Sequence, residues 1–178
     1  MQRILILLLA ALCVASCGRR RSAPSQDTAA SDTRPRVFLP AIAPSGLSPE
    51  EQRDYLREHY WDRFDFADTL FTVRADTLQM VEAYARYLAL IPDRPTAGAP
   101  IDSLMRRASS SRRMLDYFSM LAERVLHDPN SPLRNDEFYI PVLQAQLRAP
   151  WYDEYERIAP QYDLEMAMQN RLGHPAND

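Results

Sequence analysis

Apolar positions recur along this chain at helical spacing and stop at prolines. Ser48-Pro49-Glu50-Glu51 reads as a helix start. Ser48 caps it, Pro49 takes the first helical position where no N–H is missed, and Glu51 reaches back to the cap. Tyr55, Leu56, His59 and Tyr60 then fall on one face. The acidic, aromatic stretch from Trp61 to Phe71 reads as the helix end and a partly buried loop. Asp76 caps a second helix to Ile91, with Leu78, Val81, Ala85, Leu88 and Ile91 at the helical period and Pro92 as the stop.

After the surface connection DRPTAGAP, Ile101, Leu104, Met105 and Ala108 predict a short third helix, and Ser109-Ser110-Ser111 interrupts it or joins it to a fourth. The fourth carries Met114, Leu115, Phe118, Leu121, Ala122 and Val125 on its apolar face and ends at His127-Asp128-Pro129. Asn135 caps a fifth, Asp136 to Leu147, with Pro141 inside it. The last, about Trp151 to Asn170, is expected to kink at Pro160 and stop at Gly173. No stretch sustains a β alternation, and 14 prolines against 4 glycines suit helices with hard stops. The expected class is all-α: one small domain of about five or six proline-interrupted helices over residues 37–178.

The pattern ahead of residue 37 differs. A single Arg3, the nine-residue apolar run Ile4 to Leu12 and the small residues Val14-Ala15-Ser16 lead to Cys17. That is the layout of a bacterial lipoprotein signal, residues 1–16, with cleavage before Cys17 and lipid (diacylglycerol and an amide-linked acyl chain such as palmitate) on that residue. The run is too short for a membrane span, which needs about 20 apolar residues. Several acyl chains hold a protein firmly, because each buried methylene contributes about 0.8 kcal/mol and one chain alone is marginal. Residues 17–36 are polar, small and proline-bearing, a composition that cannot offset its own ordering entropy, so a flexible tether is expected. Arg19-Arg20-Arg21 lie beside the anchor, as a solvated spacer or in contact with anionic headgroups.

Charge removes one class of partner. Against 24 acidic residues stand 21 basic ones, all arginine, and the net charge of −3 argues against nucleic acid. The two cysteines, Cys13 and Cys17, belong to the signal and the lipid anchor, which leaves no thiol for redox chemistry in the mature chain.

Candidate chemistry is sparse. His59, Asp62 and Asp65 could be drawn as a metal or acid–base cluster, but a metal site asks for three or four convergent ligands, and His127 and His174 are distant in sequence. Asp62, Asp65 and Asp68 lack the glycine and glutamate of a calcium loop and read as cap and turn formers. No Gly-rich phosphate loop, G-x-S-x-G elbow or H-E-x-x-H occurs. No cofactor, no metal and no catalytic residue is therefore expected. Tyr60, Trp61, Phe64, Phe66, Trp151 and Tyr152, with Phe138, Tyr139 and Tyr155, admit two readings: a groove for a peptide, glycan or small ligand, or anchors of a small helical core.

Three strings carry a resemblance: YLREHYWDRFDFADT (Tyr55 to Thr69), LHDPNSPLRNDEFYIPVL (Leu126 to Leu143) and YDLEMAMQNRLGHPAND (Tyr162 to Asp178). Together they resemble an uncharacterised helical domain of Bacteroidetes-type lipoproteins that commonly precedes a thioredoxin-like domain of membrane-anchored thiol-disulfide oxidoreductases. In that family the segment equivalent to Asn170 to Asp178 leads into the first strand of a thioredoxin-like unit, so the resemblance implies either a module shed from its catalytic partner or a chain cut at a domain boundary; no Cys-x-x-Cys motif occurs in these residues. The expectation is a non-enzymatic, lipid-anchored envelope domain, outer-membrane and periplasm-facing, that positions a thioredoxin-like protein or its client. Its alternatives are the N-terminal part of a thioredoxin-like oxidoreductase or peroxidase, and a small-ligand or oligosaccharide binding domain.

Overall fold

The computed structural model describes residues 35–92 and 98–169. The lipoprotein signal, Cys17, Arg19 to Arg21, nearly all of the tether, Gly173 and His174 lie outside the described residues.

Among the described residues there are seven α-helices and no strand. They are α1 (Pro49–His59), α2 (Phe71–Arg74), α3 (Thr77–Leu88), α4 (Gly98–Ala108), α5 (Arg112–Ala122), α6 (Asp136–Arg148) and α7 (Glu154–Gln169). The all-α expectation holds, and the seventh element is the four-residue α2, whose single turn is too short to show a period.

The caps read from sequence are present. At α1 the Ser48 hydroxyl accepts from the Glu51 amide and the Glu51 carboxylate accepts from the Ser48 amide, a reciprocal box. Asp76 and Asn135 accept from the amides of Gln79 and Phe138. Ser111 caps α5, which resolves the serine run as a break between two helices. α5 ends where expected, but its last turn, Glu123–His127, widens into a π-helical one. Two carbonyls freed there find partners outside the helix: Ser131 Oγ donates to Val125 O, and Asn135 N–H donates to Leu126 O at 3.0 Å. α6 runs on through Pro141, and Gly98 at the start of α4 lies against that ring; a Cβ on Gly98 would sit 3.0 Å from Pro141 Cγ.

The core lies where α5 packs on α3, α4 and α6, with α7 packed chiefly on α6. The expected apolar faces of α4 and α5 are buried there. That of α3 is rotated by roughly 90° from the expected one. Met80, Ala83, Tyr84, Tyr87 and Leu88 face inward, and Leu78 is 69% exposed. The tyrosines win because each brings more apolar surface than a leucine, and Tyr87 keeps a partner when buried, its hydroxyl donating to Pro100 O at 3.0 Å.

The chain enters the fold as an extended segment. Arg36 pairs with the α2–α3 junction through Arg36 N–H to Arg74 O at 2.7 Å and Asp76 N–H to Arg36 O at 3.0 Å. Its guanidinium pairs with Asp68. Arg36, expected in the tether, therefore belongs to the folded part. The Gln79 side chain then bonds both backbone groups of Phe38, at 3.1 and 2.8 Å.

Candidate functional site

The aromatic residues nominated from sequence separate into two places. Tyr60, Trp61, Phe64 and Phe66 are buried, which corrects their nomination as an interaction surface. Phe38 stacks on Trp61 at 4.7 Å, Phe66 stacks on Phe118 at 5.4 Å, and Phe64 meets Phe118 edge-on at 5.3 Å. The physical reason is local. Turns closed by Asp65 and Asp68, which accept from the amides of Ala67 and Leu70, fold the loop so that its rings point inward over α5. Tyr60 keeps its hydroxyl satisfied on Ala83 O at 2.9 Å.

A charged cluster rims this junction. His59 Nδ1 lies 2.7 Å from Asp62 Oδ2, and Arg107 donates to Asp62 Oδ1 at 2.9 Å and to Trp61 O at 3.0 Å while lying over the Phe66 ring. The hydrogen bond from His59, followed by Arg107, holds the Asp62 carboxyl below the usual aspartate range. Asp65 is not drawn into the cluster; it closes its own turn. Among the described residues no three His, Cys, Asp or Glu side chains converge in a way that could hold a metal ion. Beside the cluster, a cleft of about 310 Å³ is lined by Arg57, Glu58, Trp61, Tyr87, Ser103 and Arg107.

Trp151 and Tyr152, the remaining nominated pair, lie at the approach to α7. Trp151 is 36% exposed, and Tyr152 donates to Asp116 Oδ1 at 2.7 Å. Burial, then that carboxylate, pushes the Tyr152 phenol well above its ordinary value, so it serves as a fixed donor and not as a base. Arg112 reaches Glu156 and the Trp151 carbonyl and leans over the Tyr152 ring. These groups border a cleft of about 410 Å³ between α5, α6 and α7 that also holds Glu123, Gln146 and Asp163. No nucleophile is paired with a base in this arrangement; it is suited to holding helices and presenting charge.

Sequence reasoning missed the outward face of α7. A box of Asp153 and Glu156 starts this helix. Pro160 and Ala167 are buried beneath it, with Leu164 partly buried, yet Tyr155, Ile158, Tyr162 and Met166 are 81%, 59%, 62% and 39% exposed. Their spacing of three, four and four residues was the available signal, since a helix with one buried edge needs only one apolar stripe. Among the described residues no helix is long and apolar enough to cross a membrane.

Comparisons with known proteins agree with this architecture. A thioredoxin-like protein from Bacteroides caccae ATCC 43185, known from its crystal structure, is 35% identical and superposes with a TM-score of 0.68 over 79% of this chain. The match covers 51% of that protein, so this chain spans about half its length. No curated protein matches. Residues 16–170 match the family model described as a domain of unknown function, DUF5106, and with that much of its length accounted for, the chain belongs to the DUF5106 family.

Proposed function

We propose that this chain is a lipid-anchored, non-enzymatic accessory domain of the cell envelope that binds or positions a thioredoxin-like protein. One observation carries the reading: the match to about half of a thioredoxin-like protein by a chain whose described residues form helices and no strand. Thioredoxin-like redox motifs belong to a βαβ framework and use Cys-x-x-Cys. Among the described residues there is no strand, and the sequence has no Cys-x-x-Cys, which supports reading the helical domain as a companion of a thioredoxin-like unit. The lipobox at Val14-Ala15-Ser16-Cys17 supports attachment to a membrane through Cys17, and the lack of an acidic run after that cysteine favours the periplasmic side of the outer membrane.

Two measurements test it. Incorporation of labelled palmitate that is abolished in Cys17→Ala supports the anchor; equal labelling of both proteins overturns it. Affinity capture from envelope membranes should recover a thioredoxin-like protein; recovery of none argues against the accessory role.

A second reading has its own support in the half-length match: the domain is the N-terminal part of a thioredoxin-like oxidoreductase or peroxidase. The genomic reading frame beyond the codon for Asp178 separates the two, because an in-frame thioredoxin-like unit with Cys-x-x-Cys establishes the second.

A further inference from the structure

We propose that the outward face of α7, built by Tyr155, Ile158, Tyr162 and Met166, is the docking surface for a thioredoxin-like domain of the kind found in the Bacteroides caccae protein. This rests on the accessory role proposed above and names the face through which it acts.

The helix is apolar on two sides. At 3.6 residues per turn the four exposed side chains share an arc of about 80°, and Pro160, Leu164 and Ala167 lie on the opposite side, toward α6. The inner edge accounts for the fold. The outer one contributes nothing to it, and two tyrosines, an isoleucine and a methionine there form a row of anchors at the spacing by which helices seat in apolar grooves.

Charge narrows the occupant. Glu154 and Glu165 flank the row on one side; on the other, toward the cleft shared with α5 and α6, lie Asp163 and Glu156, the latter paired with Arg112, and α7 itself has Arg157 as its one basic residue. A second copy of this chain would bring acidic rims against each other, and like charges across an interface oppose binding. The surface fits an apolar patch rimmed by basic residues. Length supplies the rest of the argument. In the Bacteroides caccae protein about half of the chain lies outside the match, a body as large as this domain, and that protein is the one described as thioredoxin-like.

The crystal structure of that relative gives the first test. Side chains aligned with Tyr155, Ile158, Tyr162 and Met166 are expected to be covered by the half outside the match; a bare helix at those positions overturns the proposal. For this chain, the lipidated protein and a Tyr155→Arg/Tyr162→Arg variant are cross-linked in the envelope of the host, and thioredoxin-like proteins in the products are identified by mass spectrometry. At least a tenfold loss of such products is expected in the variant, with an unchanged melting temperature showing an intact fold. Equal recovery with both overturns the docking face and leaves the accessory role standing. Recovery with neither overturns both. Sedimentation of the 178-residue chain alone addresses the other occupant: a dimer that the variant dissolves assigns the face to a second copy and overturns the proposal. Ile158→Glu replaces the arginine pair if that variant does not fold.

Discussion

The loop after α1 and the outer side of α7 are both rich in aromatic residues, yet they take opposite fates. In the loop, rings separated by two or three residues are turned inward by aspartate-closed turns and meet Phe38 and Phe118 from distant segments. On α7, a continuous helix with Pro160 inside it buries one edge, and that edge goes to Pro160 and Ala167 against α6. Composition is therefore a poor guide to whether an aromatic residue stabilises the fold or faces a partner. Backbone curvature decides it: a segment that turns can gather its rings into one core, and a regular helix must leave some of them outside.

The largest effect that sharpens this contrast is expected at Trp61, which meets six other rings. Trp61→Ala should destabilise the fold by about 3–5 kcal/mol, read from urea denaturation. A loss below about 1 kcal/mol would mean the junction is not part of the core. Next comes the base on which α7 is carried. Gly98→Val forces a side chain against Pro141 and should cost about 1–3 kcal/mol in the same assay, because the α4–α6 contact has no room for it. Third, Tyr155→Ala combined with Tyr162→Ala should stay within about 0.5 kcal/mol of the parent, since exposed positions bury little on folding. A loss comparable to that at Trp61 would erase the distinction between the two regions.

The smallest effect concerns acid. Asp62 has a folded pKa below its unfolded one, so its contribution is present above the ordinary aspartate pKa and is lost as pH falls through the lower folded value. Because the group is largely exposed, the change should be slight. Asp62→Asn should flatten a small part of the acid limb in denaturation midpoints followed from about pH 5 to pH 2. An unchanged limb would show that the His59–Asp62–Arg107 cluster adds no stability.

Much of the fold was legible because its signals are local. Ser48, Asp76 and Asn135 are three-residue signals of capping, and all three caps form. The apolar faces of α4 and α5 follow from spacing alone. What was not legible depends on residues far apart in sequence. The rotation of α3 brings Tyr84 and Tyr87 against Trp61 in the loop after α1, and Phe38 reaches its place through Gln79, 41 residues on. The candidate site was read least well for the same reason. Tyr60, Trp61, Phe64 and Phe66 look alike whether buried or exposed until Phe118 is known to lie beneath their junction, and the α7 row cannot be told from a buried one until α6 is known to lie against Pro160 and Ala167.

The way the chain enters the domain has a mechanical consequence. Any tension applied ahead of residue 35 meets the backbone pair at Arg36, then the two bonds between Phe38 and Gln79, then Ala41 N–H on Tyr60 O at 3.2 Å. These fastenings lie in series along one short segment and would yield one after another. Release of the second withdraws the Phe38 ring from its stack on Trp61 and opens the aromatic junction from its edge. A load applied at residue 35 is in this way passed directly to the aromatic junction around Trp61 rather than spread over the helices.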